Sequence, residues 1–367
     1  MKLFKGPAVL AAVVAVAVSC ATASAWSYKE HVLLTREAAH RILEDESAPE
    51  GLKAFLRDKC PEAVDFDLEE FVLHERFGPN PEGITGLSFW ATHPDVERST
   101  PVPTFASDEG KMHYLDVEFL NPDPSKRHYL ADGSGLPELA DFPRDVEDER
   151  YQEAGYLPFR IEQCYGELVK AWREGDAESA EIWGGYLAHY LGDNTQPQHA
   201  TIDYKSATYF DRASVPGGRP NVHGWVEYGF IDDAEPSQYP RLRQELADAM
   251  EAELAEAQAV PLGDPFVSSL ETSRRFYGYL PLIGEAALAT HEHGGDLNVF
   301  AGYRLEDEGP TLMQAKALAL SQGTLRIEGA LRQAWSEAHG EFEPAEGDRT
   351  PGLLSRPTAR PSVAGVE

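Results

Sequence analysis

Cysteine is scarce in this chain, which has only 3 cysteines among 367 residues. So few cysteines exclude a disulfide scaffold, and a chain of this length can bury a hydrophobic core without one. Two of them, Cys60 and Cys164, lie far apart in the sequence. They could pair in an oxidising compartment, or they could be two buried thiols, and the sequence leaves both alternatives open.

Basic residues are also few. Lys and Arg number 32 against 62 Asp and Glu, which gives a formal net charge of -30. An acidic surface of this kind repels polyanions and attracts cations. It argues against a duplex-binding protein, without excluding a nuclease whose metals hold the phosphate. No basic stretch with interleaved aromatic residues, of the kind that stacks single-stranded bases, is present.

Long apolar runs are missing after the N-terminus, so no later segment predicts a membrane-spanning helix. A basic start, an apolar run over residues 8–18 and a small-x-small site ending at Ala25 predict a signal peptide over residues 1–25. We therefore expect a secreted or periplasmic protein whose mature chain begins at Trp26. Cys20 weakly resembles a lipoprotein acylation site, and anchoring there is the less favoured alternative.

The alternation of a half-buried strand is missing as well, and apolar residues instead recur at spacings of three and four. This period predicts helices over Tyr28 to Leu43, Ile161 to Trp172, Ile182 to Leu191, Leu242 to Ala257, Phe266 to Ala289 and Leu312 to Trp335. Long connections are predicted over Phe77 to Pro103, Asn121 to Pro143 and Thr201 to Val222. We expect an all-α fold, with a single mainly helical domain over residues 26–340 and a disordered tail over 341–367.

The most informative stretch present is WGGYLAHYLGDNTQPQHA, residues 183–200. His189 and Asp193 stand four residues apart in a helix-like run, so their side chains share one helix face about 6 Å apart and can bind one cation. Pro197 is predicted to end the helix, which lets His199 reach a neighbouring metal. On its own, the His189–Asp193 pair is equally compatible with an exposed ion pair.

Further candidate ligands lie near the mature N-terminus and in the predicted connections. They are His31, Asp95 in ATHPDVER, His113 in MHYLDVE, and His223 and Glu227 in NVHGWVE. The last two repeat the four-residue helical spacing. Imidazole and carboxylate ligands in this combination favour Zn2+, so the sequence predicts a multi-zinc site.

These motifs, taken in order from Trp26 to Glu227, resemble those of the zinc-dependent phospholipase C and single-strand-specific nuclease superfamily. The matching elements are Trp26 at the cleavage point, Trp-x-x-x-x-His, His-Pro-Asp, His-Tyr-Leu-Asp, His-x-x-x-Asp-x-x-x-x-x-His and His-x-x-x-Glu. The resemblance implies a mainly helical domain with long ligand-bearing loops and a trinuclear site that holds three Zn2+ per chain.

The same resemblance implies a ligand set for each zinc. The sets are Trp26, His31 and Asp193 for the first ion, Asp95, His113, His189 and the shared Asp193 for the second, and His199, His223 and Glu227 for the third. Trp26 is implied to bind through its free amine and carbonyl, so removal of the signal peptide is expected to be linked to metal binding. Asp95 is implied to be catalytic, because it would orient or deprotonate the attacking water.

The implied reaction is hydrolysis of a phosphodiester by a metal-activated water. Glu227 as the last ligand matches the phospholipases, whereas the short interval from Trp26 to His31 is nearer the nuclease pattern. We favour a phospholipase C-like enzyme that acts on phospholipid or another phosphodiester, with transient membrane-surface contact. The alternatives are a single-strand-specific endonuclease or 3'-nucleotidase acting on single-stranded nucleic acid, and a zinc-binding protein without turnover. Aromatic residues predicted near the site, for a choline group or a base, are Phe89, Trp90, Tyr114, Tyr209, Phe210 and Trp225.

Overall fold

The computed structural model describes residues 26–75, 84–96, 109–215, 219–227, 229 and 239–340. The predicted signal peptide over 1–25, including Cys20, and the predicted tail over 341–367 lie outside these residues. The described part is helical without any strand, which confirms the all-α class. The α-helices are α1 Tyr28–Glu44, α2 Glu50–Lys59, α3 Leu68–His74, α4 Gly86–Val96, α5 Tyr151–Ala154, α6 Leu157–Glu174, α7 Ala177–Asp193, α8 Ala207–Arg212, α9 Val222–Glu227, α10 Pro240–Leu254, α11 Pro265–Tyr277, α12 Leu280–Glu292, α13 Leu297–Gly302 and α14 Leu312–Ala338.

Helix α7 lies at the centre of the packing. Asp176 starts it by accepting a hydrogen bond from the backbone N–H of Ser179, and every residue from 182 to 193 is buried. A helix that is buried all round is surrounded by other elements, and α7 packs against α1, α4, α6 and α14. The predicted ligand pair on α7 therefore lies inside the protein.

A glycine on α7 allows helix α4 to come very close. A Cβ atom added to Gly185 would lie 2.3 Å from Cβ of Trp90 and 2.8 Å from the carbonyl oxygen of Leu87. Only a residue without a side chain fits at this distance. The close approach places the last turn of α4, which carries Asp95, beside α7.

Helix α1 begins with a reciprocal cap. The hydroxyl of Ser27 accepts from the N–H of Glu30, and the carboxylate of Glu30 accepts from the N–H of Ser27. Trp26, which precedes the cap, is fully buried, and its indole N–H donates to the carbonyl oxygen of Gly192 at 2.9 Å. The predicted mature N-terminus therefore lies against the end of α7.

Two predicted helix boundaries are wrong. The segment predicted as one helix over Phe266 to Ala289 is two helices, α11 and α12, because Pro281 lies in the first turn of α12 and interrupts the preceding helical hydrogen bonds. Helix α7 ends at Asp193, four residues before Pro197, which was predicted to end it. Gln196 does have the extended backbone that is expected before a proline. Pro197 instead begins a short 3-10 helix, Pro197–Ala200.

Two of the predicted long connections contain helices. Helix α4 lies in the connection predicted over Phe77 to Pro103, and α8 lies in the one predicted over Thr201 to Val222. Helix α4 has 11 residues but carries Pro94 inside it, which is typical of a loop, and α8 has only six residues, too few to show an apolar period. The connection from Asn121 to Pro143 contains only two short 3-10 helices.

Cys60 and Cys164 are both buried and free. The sulfur of Cys60 lies 3.7 Å from the hydroxyl oxygen of Ser88. The sequence left open a disulfide or two buried thiols, and the structure shows two buried thiols. No helix in the described residues is long and apolar enough to cross a membrane.

We predict that Gly185→Ala destabilises the protein, because the new methyl group would push α4 away from α7. Overpacking of this kind costs about 1–3 kcal/mol or more. Gly302→Ala is the matched control, since no atom lies within 4 Å of its added Cβ. Thermal unfolding should show a clearly lower Tm for Gly185→Ala and little change for Gly302→Ala, and equal Tm values would contradict the described packing.

Candidate metal centre

Helix α7 presents His189 and Asp193 from its last turns, as their spacing predicts, and both side chains are fully buried. Nδ1 of His189 donates to the carbonyl oxygen of Ala91 at 2.8 Å. Because a carbonyl oxygen can only accept, the proton of the neutral ring is on Nδ1 and the lone pair is on Nε2. Nε2 lies 3.0 Å from Nδ1 of His113, so the nitrogen that can bind a metal faces the other candidate ligands.

Asp193 is the centre of the cluster. Its Oδ1 lies 3.3 Å from Nε2 of His31, while its Oδ2 lies 3.1 Å from Nδ1 of His113 and 3.2 Å from Nε2 of His189. The two oxygens of one carboxylate thus face two different sets of imidazoles. Both oxygens of Asp193 are therefore within reach of imidazole nitrogens that could share a cation with them.

His31 and Asp95 join this cluster from α1 and α4. The ring of His31 stacks on the ring of His189 with centroids 4.0 Å apart. Oδ2 of Asp95 lies 3.8 Å from Nε2 of His31, and its Oδ1 lies 3.7 Å from Nδ1 of His113. His31, Asp95 and His189 form one group whose ligand atoms all lie within 4.8 Å of one another, and His113, His189 and Asp193 form a second.

His113 lies in an irregular segment that backbone hydrogen bonds hold on both sides. The N–H of Leu115 donates to the carbonyl oxygen of His199 at 2.9 Å, and the N–H of Tyr156 donates to that of Lys111 at 2.8 Å. The ring of Tyr190 meets the ring of His113 edge-on. These contacts fix the position of His113 although it does not lie in an α-helix.

His199, His223 and Glu227 form a third group. Oε1 of Glu227 lies 2.8 Å from Nε2 of His223, one helical turn away on α9, and 3.7 Å from Nε2 of His199. Nδ1 of His199 donates to the carbonyl oxygen of His113 at 2.7 Å, so its Nε2 carries the lone pair. This carbonyl links the third group to the other two.

The polar atoms of the cluster fit divalent cations. Nε2 of His199 is buried and has no hydrogen-bond partner in the described part of the chain, while Nε2 of His31 and of His223 lie near carboxylate oxygens of the cluster without a well-aligned hydrogen bond. Within that part, no Lys or Arg side chain pairs with the carboxylates of Asp193 or Glu227. Unsatisfied buried groups of this kind need an explanation, and imidazole nitrogens with carboxylate oxygens are a donor set that Zn2+ prefers.

The protonation states agree with metal binding. Burial lowers the pKa of His31, His189 and His199, and it lowers that of His223 to about 3. These imidazoles are therefore neutral near pH 7, which is the form that binds metals. Burial acts to raise the pKa of Asp193, but His189 and the neighbouring imidazoles hold it well below its ordinary value.

The pKa values of two other candidate ligands, Glu227 and His113, are raised and not lowered. Burial raises the pKa of Glu227 well above its ordinary value, and the charges of Glu30 and Asp95 act in the same direction. Burial lowers the pKa of His113, but hydrogen bonding and the charge of Asp193 outweigh it, so the net shift is upward. Both shifts reflect negative charge gathered in a buried space, which a cation would offset.

A cavity of about 250 Å³ adjoins the third group. It is lined by Tyr114, Asp116, Gln198, His199, Thr201, Ile202, Tyr204 and His223. Burial, together with the charge of Glu118, raises the pKa of Asp116 well above its ordinary value. The cavity gives a small ligand access to His199 and His223.

Only one of the aromatic residues predicted near the site, Tyr114, lines this cavity. Tyr209 and Phe210 are buried in the core, and Trp225 packs edge-on against Phe300. Phe89 and Trp90 pack against each other on α4. Tyr204 also lines the cavity but could not be predicted from the sequence, because it has no ligand-like spacing to any other candidate.

We predict that Asp193→Asn removes more zinc than Glu227→Gln. Asp193 faces both sets of imidazoles, so its loss should release two ions, whereas Glu227 belongs to one group and its loss should loosen one. Glu328→Gln, which removes a buried carboxylate paired with Arg41 outside all three groups, is the control and should keep its zinc. Elemental analysis of the folded variants measures this, and equal zinc loss in the Asp193 and Glu227 variants would contradict the bridging role.

No protein-family model and no curated protein matches this chain. Among solved structures, it is similar to an alpha-toxin of Clostridium perfringens isolated from avian strain SWCP, with a TM-score of 0.34 and 13% sequence identity. The match covers 88% of this chain and 65% of the toxin chain, so this chain spans less than two thirds of the toxin's length. The assignment of the candidate metal centre therefore depends on its own geometry.

Proposed function

We propose that this chain is a zinc-dependent phosphodiesterase of the phospholipase C type. The observation that carries the proposal is the position of Asp193, whose Oδ1 faces His31 and whose Oδ2 faces His113 and His189, beside the His199–His223–Glu227 group that adjoins the cavity. Neighbouring divalent cations held in this way suit in-line displacement at phosphorus. The sequence resemblance to the zinc-dependent phospholipase C and nuclease superfamily supports the same assignment.

The proposed ligand sets are those that the resemblance implies, with three Zn2+ per chain. Trp26 would contribute its amine after removal of residues 1–25, and its buried position against the end of α7 supports this role. The domain over residues 26–340 would contain the whole site. Bound ions of this kind withdraw electron density from the phosphoryl oxygens and make water more acidic.

Proton transfer during the proposed hydrolysis would depend on a side chain of this protein. Asp95 would accept a proton from the attacking water, as the resemblance implies, and its buried carboxylate lies 3.7 to 4.0 Å from three imidazole nitrogens of the cluster. The water oxygen would bond to phosphorus, and the bond from phosphorus to the alcohol oxygen would break. The leaving alkoxide would then take up the proton that Asp95 accepted, which gives a free alcohol and a phosphomonoester and returns Asp95 to its carboxylate form.

The cavity favours a small cationic head group over a nucleic acid strand. Among the described residues that line it there is no Lys or Arg, whereas proteins that bind single strands track the backbone with basic grooves. Two tyrosine rings, Tyr114 and Tyr204, are instead of the kind that binds an ammonium group, and the ammonium of Lys205 lies 5.0 Å from the ring centroid of Tyr204. The formal net charge of -30 points the same way.

We expect the mature protein to hydrolyse a chromogenic phosphocholine ester and to leave single-stranded DNA intact. A chelator should abolish the hydrolysis, and added Zn2+ should restore it. Faster hydrolysis of single-stranded DNA would assign the chain to the nuclease alternative. A zinc-loaded protein that hydrolyses neither substrate would support the zinc-binding protein without turnover.

Asp95→Asn should lower kcat by about 10²- to 10⁴-fold, which is the range for loss of a general base, with little change in KM. The substitution also alters a candidate ligand, so zinc content must be measured on the same sample. A variant with full zinc and near-normal kcat would assign Asp95 a purely structural role.

A further inference from the structure

Lys316 is a buried lysine on α14, only 5% exposed, whose ammonium lies beside the backbone of α9, the helix that carries His223 and Glu227. Its Nζ donates to the carbonyl oxygens of Val226 at 2.6 Å and Glu227 at 2.7 Å. The same Nζ lies 2.5 Å from Oε1 of Glu30. Three oxygens from two other helices therefore surround one ammonium, which has three N–H donors.

The two carbonyls are the last ones of α9, where a helix has no partners of its own for them. Helix α9 has only six residues, Val222–Glu227, and a helix this short is unstable without tertiary contacts. A cation at the C-terminal end satisfies the carbonyls and interacts favourably with the helix dipole. Lys316 thus holds the end of the helix that presents His223 and Glu227.

The third oxygen connects Lys316 to the mature N-terminus. The other oxygen of Glu30, Oε2, accepts from the backbone N–H of Ser27 at 2.9 Å. The ammonium of Lys316 also lies 5.4 Å from the ring centroid of Trp26. One side chain therefore contacts both the helix that carries Glu227 and the turn that carries Trp26.

We propose that Lys316 is a positioning residue for the metal centre, which holds the His199–His223–Glu227 group and couples it to the N-terminal turn. The inference rests on the proposed function, since it assumes that this group binds a cation. Lys316 acts through the backbone of α9 and through Glu30, so it affects the affinity for the ion without contacting the ion. Partners that fix metal ligands in place typically contribute about 10- to 100-fold in metal affinity.

The chain contains a matched control in Lys29. This lysine is fully buried, and its Nζ donates to the carbonyl oxygens of Val72 at 3.0 Å and Glu75 at 2.6 Å. It also lies 5.5 Å from the ring centroid of Phe71. Lys29 therefore holds the C-terminal end of α3 in the way that Lys316 holds α9, but α3 carries no candidate ligand.

The test compares Lys316→Met with Lys29→Met in the mature protein loaded with Zn2+. Zinc per chain is measured by elemental analysis after dialysis against a chelator, and zinc affinity is measured by chelator competition. Both variants lose a buried ammonium, so both should have a lower Tm. We expect only Lys316→Met to retain one ion fewer than the wild-type protein and to show about 10- to 100-fold weaker binding of its most loosely held ion.

Two further variants keep the test decisive if Lys316→Met does not fold. The double variant Lys316→Met/Glu30→Gln leaves no unpaired buried carboxylate and should still lose the ion, because the carbonyls of Val226 and Glu227 remain without their donor. Glu30→Gln alone keeps those hydrogen bonds and should weaken binding less. Equal zinc retention in the Lys316 and Lys29 variants, with a zinc-binding wild-type protein, would overturn the positioning role alone. A wild-type protein that binds no zinc would overturn the proposed function together with it.

Discussion

The structure depends on the burial of one carboxylate, Asp193, at the end of the central helix. Burying a charge without a partner costs several kcal/mol, so buried charges are paired or bind metals. In the described part of the chain the neighbours of this carboxylate are the imidazoles of His31, His113 and His189, two of which are held neutral by burial. Burial acts to raise the pKa of Asp193, but charge interactions and hydrogen bonds with these imidazoles hold it well below its ordinary value, so the buried carboxylate stays ionised. A divalent cation bound between them and the carboxylate, as proposed, would offset this buried negative charge.

The surrounding helices hold the donors in place before any ion arrives. Backbone carbonyl oxygens accept from Nδ1 of His189 and of His199, which fixes the tautomer and the orientation of both rings. The glycine at 185 brings α4 against α7, and the buried ammonium of Lys316 holds the end of α9. A preorganised donor set binds its ion without the entropy loss of ordering loops. The same helix packing that forms the core therefore also fixes the positions of the candidate ligands.

Much of this arrangement could be predicted from the sequence, because it depends on local spacing. The period of three and four predicts α1, α7 and α14, and the four-residue spacing predicts that His189 shares a face with Asp193. The ordered motifs also identify His31, Asp95, His113, His199, His223 and Glu227, whose side chains the structure brings together with that pair.

The remaining features are interactions between residues far apart in the sequence, which leave no local pattern. The ion pair between Lys316 and Glu30 joins the two ends of the described chain, and nothing near either residue indicates it. Asp116 and Tyr204 line one cavity only because the segments that carry them meet there. The break between α11 and α12 was missed for a different reason, since Pro281 can occupy either the first turn of a helix or a kink.

The central claim is that the buried imidazoles and carboxylates bind zinc, and anomalous X-ray diffraction at the zinc absorption edge tests it most directly. Crystals of the mature protein grown without chelator should show anomalous peaks at about 2.0–2.2 Å from the nitrogen and oxygen ligands. We expect one peak beside each oxygen of Asp193 and one between His199, His223 and Glu227. Anomalous maps without a peak at Asp193, from zinc-supplemented crystals with intact imidazole geometry, would contradict the account.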